Sequence, residues 1–214
     1  MQEVDSKQVR ACLRELGIQA GDGLLVHAAI QFLGKPLGGM GMYLDAILDV
    51  LGPQGTLVAP TFNFAFAQGE AYDPDLTPSA GMGTFSEYVR QQPQALRTAH
   101  PMQSLAVIGR YAQDLARRDT PSAFDPGSAF ERMLELDFKL LFLGADERAV
   151  SILPYSEQRF QVPYRYWKDF SGRVRRAGEW HDATYRMYVR SLELNPQLTL
   201  APVRQQMEKE ATWQ

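Results

Sequence analysis

The sequence contains three histidines, at positions 27, 100 and 181, a residue type that serves both as a general base and as a metal ligand. Their spacing matches no metal-ligand pattern, so we predict no metal. His27 and His100 are interpreted first as hydrogen-bonded core residues, with proton transfer by His100 as the alternative. The single cysteine, Cys12, lies in the apolar stripe of a predicted helix, and we expect a buried structural thiol. One cysteine also excludes a fold built on intrachain disulfides.

A glycine-rich segment, residues 34–41, lies between a predicted buried strand and a predicted helix. Glycines let the backbone approach a ligand closely, and N–H groups at a helix start favour anions. The segment therefore suits the phosphates of a coenzyme. On spacing alone, an ordinary glycine-rich turn is the preferred interpretation.

Positive charge is concentrated between residues 159 and 190, which contain eight basic residues and three acids, although the whole chain has a net charge of −3. Two interpretations carry equal weight: a solvated face, or a site for an anionic ligand such as nucleotide or coenzyme phosphates. The small overall charge gives no strong field that would point to nucleic acid.

The first half of the chain alternates helical and strand patterns. A first helix is predicted over Ser6–Leu16, with Asp5 or Ser6 as its N-cap and Gly17 at its end. There follow a strand over Leu24–His27, a helix over Tyr43–Leu51 and a strand over Thr56–Ala59. This order predicts an α/β unit with a crossover that covers one face of a sheet.

The second half begins with a long loop over residues 60–82, a length that is usually functional in compact domains. Further elements are predicted at Gly83–Arg90, Leu105–Ile108, Tyr111–Arg117, Phe130–Leu136 and Lys139–Leu143. Alternation over residues 171–191 predicts hairpin strands. We see no internal repeat, and we predict a single domain whose C-terminal section, residues 160–214, is rich in β-structure.

Short motifs occur in a fixed order over residues 5–160. They are Gly21-Asp22, Val26-His27, Gly34 with Gly38-Gly39, Gly55-Thr56-Leu57-Val58, Pro60-Thr61-Phe62, Tyr72-Asp73-Pro74, Thr77-Pro78-Ser79, Met82-Gly83, Glu87, Arg90, Arg97-Thr98-Ala99-His100-Pro101, Ser104, Gly127-Ser128 and Leu143-Gly144. Together, in order and spacing, they resemble the aminoglycoside 3-N-acetyltransferase family.

The resemblance implies an α/β/α sandwich with a mixed sheet, distinct from the common GNAT acetyltransferase fold. It also implies acetyl-CoA as the donor, with direct transfer in a ternary complex. Residues implied to bind the coenzyme are His27, Ala28, Ala29, Gly34, Lys35, Gly38, Gly39, Arg97, Thr98 and Ser104. Two of them depart from the pattern, because Ala28 and Ala29 stand where the family has serines.

A larger departure lies in the segment where the family has Leu-His-x-x-Glu with its catalytic histidine. This sequence matches the glutamate with Glu157 but has Pro154 in place of the histidine. Proline cannot accept a proton, and it is expected to push Leu153 toward an extended conformation. Three routes for the amine proton stay open: Glu157 as base, His100 as base, or an acceptor amine that is already neutral. A structural ion pair with an arginine is the alternative role of Glu157.

The acceptor implied by the resemblance is an amino group of an aminoglycoside or another amino sugar, and we predict that Asp73, Tyr155 and Arg165 bind it. The basic and aromatic segment after Glu157 favours an alternative, an amino sugar on a nucleotide carrier. A catalytically impaired CoA-binding homologue is the other alternative.

The N-terminus lacks the pattern of a signal peptide, and no apolar run approaches the ~20 residues needed to span a bilayer. We therefore expect a cytoplasmic protein without membrane or nucleic-acid partners, whose oligomeric state is open. Family members commonly continue further at the C-terminus, so truncation there is open as well.

Overall fold

The structure is a computed structural model, and it describes residues 2–194 and 199–213. The strands are β1 (Glu3–Val4), β2 (Gly23–Ala28), β3 (Lys35–Pro36), β4 (Thr56–Pro60), β5 (Leu96–Arg97), β6 (Leu105–Gly109), β7 (Lys139–Leu143), β8 (Arg165–Arg176) and β9 (Glu179–Arg190). The α-helices are α1 (Ser6–Glu15), α2 (Met40–Leu51), α3 (Gly83–Arg90), α4 (Ala112–Ala116), α5 (Ala129–Glu135), α6 (Leu153–Arg159) and α7 (Ala201–Lys209).

A mixed sheet forms the centre of the molecule, with the strand order β5-β6-β4-β2-β7. Strand β2 runs parallel to β4 and β7, and β6 runs antiparallel to β4 and β5. Successive side chains of a strand point to opposite faces. Leu24 and Val26 accordingly pack with α1, α2 and α3, whereas Leu25 and Val58 pack with α4 and α5. The predicted α/β/α sandwich with a mixed sheet is confirmed.

Helix α1 begins as predicted, with Asp5 as the N-cap of a capping box that Gln8 completes. The prediction for Cys12 is wrong, because this side chain is exposed. The buried residues of α1 are Val9 and Leu13, four positions apart and therefore on one narrow stripe. Cys12 lies about 100° around the helix from Leu13 and outside that stripe.

Two helical boundaries differ from the prediction. Helix α2 starts one turn early, at Met40, because Gly39 adopts a φ of 75° and serves as its N-cap. The sequence predicts no helix over Leu153–Arg159 and an extended conformation at Leu153. The structure forms helix α6 there, and Leu153 is its first residue. Pro154 lies in the first helical turn, where a missing N–H removes no intrahelical hydrogen bond.

Strands β8 and β9 form a long hairpin that begins at Arg165, six residues earlier than predicted. Its turn is Ala177-Gly178, both with positive φ, as in a two-residue hairpin turn. The inner face carries Val174 and Tyr185, which pack on Phe66 and other residues of the long loop.

The section after residue 160 also contains α7, so it is not β-structure alone. No helix in the described ranges is both long enough and apolar enough to cross a membrane.

Candidate active site

The parallel strands β2, β4 and β7 end on the same edge of the sheet, the edge at which ligands bind in open α/β folds. At this edge Ala28 forms an isolated bridge with Gly144. A Cβ on Gly144 would lie 2.8 Å from the carbonyl oxygen of Ala29, and its φ is 71°. Glycine is therefore required there for the two chain segments to meet.

The glycine-rich segment leads from this edge into α2. Strand β3 pairs with β1, and a Cβ on Gly34 would lie 2.5 Å from the carbonyl oxygen of Gln2, so Gly34 serves the backbone packing. Gly39 differs, since a Cβ there would meet no atom within 4 Å. No side chain of the described residues caps the start of α2. Its first two N–H groups therefore lack a side-chain acceptor and suit an anion. Lys35, five residues before the first residue of α2, is exposed.

His27 links the end of β2 to the segment before α6. Its Nε2 accepts the backbone N–H of Ser151 at 2.9 Å and lies 2.9 Å from the Ser151 hydroxyl. Its ring stacks on Phe142 at 5.4 Å between centroids. Burial lowers the pKa of His27 to about 4. An imidazole that protonated at Nε2 would lose the bond from Ser151, so the geometry favours the core role over proton transfer.

Arg97 holds the long loop against the sheet. Its Nε donates to the hydroxyls of Thr61 at 3.2 Å and Ser104 at 3.0 Å, and Nη2 donates to the Thr61 carbonyl at 2.8 Å. Its Nη1 donates to the carbonyls of Pro74 and Thr77. Because these internal bonds occupy the guanidinium, the contacts of Arg97 and Ser104 favour a structural role.

His100 and Thr98 are also occupied internally. Nδ1 of His100 accepts the backbone N–H of Gln103 at 3.1 Å, and the Thr98 hydroxyl accepts that of Leu105 at 2.9 Å. His100 is 4% exposed, its ring lies edge-on to Tyr185, and burial lowers its pKa to about 4. The geometry therefore favours the core interpretation for this histidine too.

Glu157 lies on α6 and is 4% exposed. Its carboxylate binds the guanidinium of Arg165 and accepts the hydroxyl of Tyr164 at 3.1 Å. Arg190 approaches the oxygen that accepts the Tyr164 hydroxyl, at 3.7 Å. These contacts match the alternative that sequence left open, a structural ion pair. They also engage Arg165, which was predicted to bind the acceptor.

The other predicted acceptor residues, Asp73 and Tyr155, form their hydrogen bonds with groups other than Glu157. Asp73 accepts Nη1 of Arg175 at 2.9 Å, and its other oxygen accepts backbone N–H groups of the following turn. The hydroxyl of Tyr155 donates to Glu131 at 3.3 Å. The structure thus places His27, Ala28 and Ala29 at the end of β2, from which the chain continues to the glycine segment. It does not join Asp73, Tyr155 and Arg165 into one constellation.

Comparisons with known proteins identify the family. The sequence model of the aminoglycoside 3-N-acetyltransferase family matches residues 25–214. The chain belongs to this family. Aminoglycoside N(3)-acetyltransferase III of Salmonella sp is 31% identical over 179 residues, 75% of this chain and 63% of the relative. Type VIII of Streptomyces fradiae is 32% identical over 171 residues, 71% of this chain and 59% of the relative. The chain therefore spans less than two thirds of the length of these curated family members.

Solved structures of the family share the fold. Aminoglycoside acetyltransferase AAC(3)-Xa superimposes with a TM-score of 0.85 at 26% identity, over 98% of this chain and 83% of that one. AAC-VIa bound to sisomicin gives 0.77 at 28% identity, over 86% and 76%. AAC-IIIb in a binary complex with CoASH gives 0.87 at 20% identity, over 98% and 86%. That last likeness supports the fold alone.

Neither Thr61 nor Ser151 was predicted as a site residue, although both organise the carboxyl edge. Thr61 directly follows β4, so its position at a strand end was a usable signal. Ser151 lies 124 residues from His27, and no local pattern announces their contact.

Proposed function

We propose that the chain is an acetyl-CoA-dependent N-acetyltransferase that acts on an amino group of an aminoglycoside or another amino sugar. The observation that carries the proposal is the uncapped start of α2, with open space before Gly39, at the carboxyl edge of the sheet. Membership of the aminoglycoside 3-N-acetyltransferase family supports acetyl-CoA as the ligand of this anion site.

In this proposal, the coenzyme phosphates bind the N–H groups at the start of α2, where the helix dipole favours negative charge. Gly38 and Gly39 admit the ligand, Lys35 supplies an exposed cation, and Ala28 and Ala29 border the pantetheine arm. Arg97 and Ser104 hydrogen-bond Thr61 of the long loop instead. Titration calorimetry with acetyl-CoA tests the site, and absence of binding at millimolar coenzyme would contradict it.

The amine must be neutral when it attacks the thioester carbonyl, so its proton must leave. Both candidate bases are engaged: Glu157 in ion pairs, and His100 by a backbone N–H group. These contacts favour the route in which the acceptor amine is deprotonated by solvent before it attacks. The rate should then rise with pH up to the pKa of the acceptor amine, without an inflection near 6.5.

The choice of acceptor follows from the ion pairs of the basic segment, residues 159–190. Arg165, Arg175 and Arg176 bind Glu157, Asp73 and Asp119 respectively. Since acids of the body neutralise these cations, the basic segment offers little support for a nucleotide-linked substrate. An amino sugar without a nucleotide is the better-supported acceptor. Faster turnover on a nucleotide amino sugar than on sisomicin or gentamicin would reverse this choice.

A coenzyme-binding protein without catalysis is the second candidate, and a specific observation favours it. Pro154 replaces the family histidine, and the contacts of Glu157 leave no obvious substitute. Thiol release from acetyl-CoA over a panel of aminoglycosides separates the candidates. Release at the uncatalysed rate, together with measurable coenzyme binding, would support the second. Reduced susceptibility of a bacterium that expresses the chain would support the first.

A further inference from the structure

The pattern Trp-x-Asp-x-Ser/Thr-x-Arg occurs once in each strand of the β8–β9 hairpin. It reads Trp167 to Arg173 in β8 and Trp180 to Arg186 in β9. Only four positions of seven are shared, which is too few to predict a repeat from the sequence alone. The repeat is structurally significant because the strand pairing sets its two copies side by side and antiparallel.

The register places the repeated residues opposite one another. Asp169 pairs with Arg186, Ser171 with Thr184, and Arg173 with Asp182. A local two-fold axis therefore passes between Ser171 and Thr184, whose hydroxyls lie 2.8 Å apart. This axis relates the two copies of the repeat.

The repeated side chains share one face of the hairpin, here called the outer face: residues 167, 169, 171 and 173 with residues 180, 182, 184 and 186. Trp167 and Trp180 are 39% and 43% exposed there. The inner face, by contrast, packs on the body of the protein. The outer face is thus a surface open to a partner.

The two ends of the outer face are built alike. The guanidinium of Arg186 lies 4.6 Å from the ring centroid of Trp167, and that of Arg173 lies 5.4 Å from the ring of Trp180. Such stacking restrains both arginines and both rings. Ordered aromatic and arginine side chains are the residue types enriched at the energetic centres of protein interfaces.

The four charges form a checkerboard, with Asp169 and Asp182 on one diagonal and Arg173 and Arg186 on the other. An identical checkerboard turned face to face sets every aspartate opposite an arginine. This holds for a two-fold axis along the strands and for one across them. The face therefore complements itself, and its balanced charge gives no preference for a polyanion.

We propose that the outer face is the interface of a homodimer, in which a second copy of this chain docks through the same face around a two-fold axis. With the axis along the strands, Asp169 faces Arg186 of the second copy. With the axis across the strands, Asp169 faces Arg173 of the second copy. Both arrangements place apolar tryptophan surface at the two ends of the contact.

The size of the face sets the strength of the dimer. The tryptophans lie eight positions apart along the ladder, about 26 Å at ~3.3 Å per residue. Two strands with a width of ~10 Å give a footprint of about 300 Å² per copy, below the ~800 Å² per partner of a standard interface. The dimer is therefore weak, concentration-dependent and weakened by salt.

Sedimentation velocity of the whole chain from about 1 µM to 1 mM tests the proposal, because dissociation constants in this range correspond to weak association. We expect the sedimentation coefficient to rise with concentration at low salt and to fall back at high salt. Asp169→Arg should abolish the rise, since it meets an arginine under either axis. Glu70→Arg, at an exposed position outside the hairpin, is the matched control and should still associate.

Two double variants identify the axis. Asp169→Arg/Arg186→Asp keeps complementarity only for the axis along the strands, and Asp169→Arg/Arg173→Asp only for the axis across them. One of the two should therefore dimerise, with circular dichroism and thermal unfolding showing that both are folded. A wild-type chain that is monomeric at 1 mM, association unaffected by Asp169→Arg, or folded double variants that both fail to associate would each overturn the proposal.

Discussion

Glu157 and Arg165 form a buried ion pair at the joint between α6 and the hairpin, with side-chain exposures of 4% and 9%. Tyr164 donates to the same carboxylate, and Arg190 approaches it from the opposite strand. Glu157, the acidic residue of the family motif in α6, therefore anchors the C-terminal section to the sandwich.

Glu157→Gln should destabilise the protein by about 3–5 kcal/mol, because it leaves the Arg165 cation buried without its counter-ion. Urea unfolding followed by circular dichroism measures this. Asp146→Asn is the control, since Asp146 also pairs with an arginine but on the exposed surface, and it should leave stability unchanged. A folded Glu157→Gln variant with native stability and no turnover would instead identify Glu157 as the base.

Gly39→Val should weaken acetyl-CoA binding at least tenfold, because its side chain would fill the open space before α2. Gly69→Val is matched: Gly69 also has a positive φ, and a Cβ there also meets nothing within 4 Å. Gly39 (ψ −161°) and Gly69 (ψ 5°) differ in ψ, so thermal unfolding of both variants is compared first. A loss of affinity in a folded Gly39→Val variant, seen by titration calorimetry, then reports the ligand site. Equal coenzyme affinities would contradict the site.

Stability should fall as the pH drops from about 6.5 to about 4. His27 and His100 have folded pKa values of about 4, whereas an unfolded histidine titrates near 6.5. Between these values the unfolded chain binds more protons, so acid favours unfolding, by about 3 kcal/mol for each histidine. Unfolding free energies at pH 7.5 and pH 5 measure the slope.

The matched variants for this pH dependence are His100→Gln and His181→Gln. Replacement of the buried His100 should reduce the slope, whereas replacement of His181, on the exposed surface of the hairpin, should leave it unchanged. A slope that neither His27→Gln nor His100→Gln reduces would show that other groups govern the acid response.

Pro154→His should raise kcat if lack of a base limits the rate. Position 154 already lies in the first turn of a helix, so the substitution requires no new backbone conformation. A histidine base contributes ~10²–10⁴-fold to such steps, with an inflection near its usual pKa of ~6.5. Pro154→Ala is the control, because it restores the N–H without the imidazole. An equal gain in both variants would attribute the effect to the backbone.

The sandwich was predictable from the sequence because its strands and helices carry local signals. Leu24–His27 and Lys139–Leu143 are short apolar runs bounded by glycine, and both form central or edge strands of the sheet. The burial of Cys12 was predicted wrongly because the apolar pattern of α1 does not show how wide the buried stripe of the helix is. The buried residues are Val9 and Leu13 alone.

Gly38 and Gly39 could be proposed for the candidate site because glycine itself is the signal. Their role in binding the coenzyme stays a prediction. The engagement of Arg97 by Thr61, Pro74 and Thr77 depends on contacts across 20 residues or more, which no spacing rule reports. The same holds for His27 with Ser151 and for Glu157 with its arginines.

The attachment of the hairpin has a consequence for fragments of the chain. Residues 165–190 contain seven basic residues and three acids, and the counter-charges Asp73, Asp119 and Glu157 belong to other segments. Cut free from the sandwich, this peptide would be a polycation that adheres to nucleic acids and anionic surfaces. Proteolysis or truncation would therefore expose a positive charge that the acids of the other segments neutralise in the intact fold.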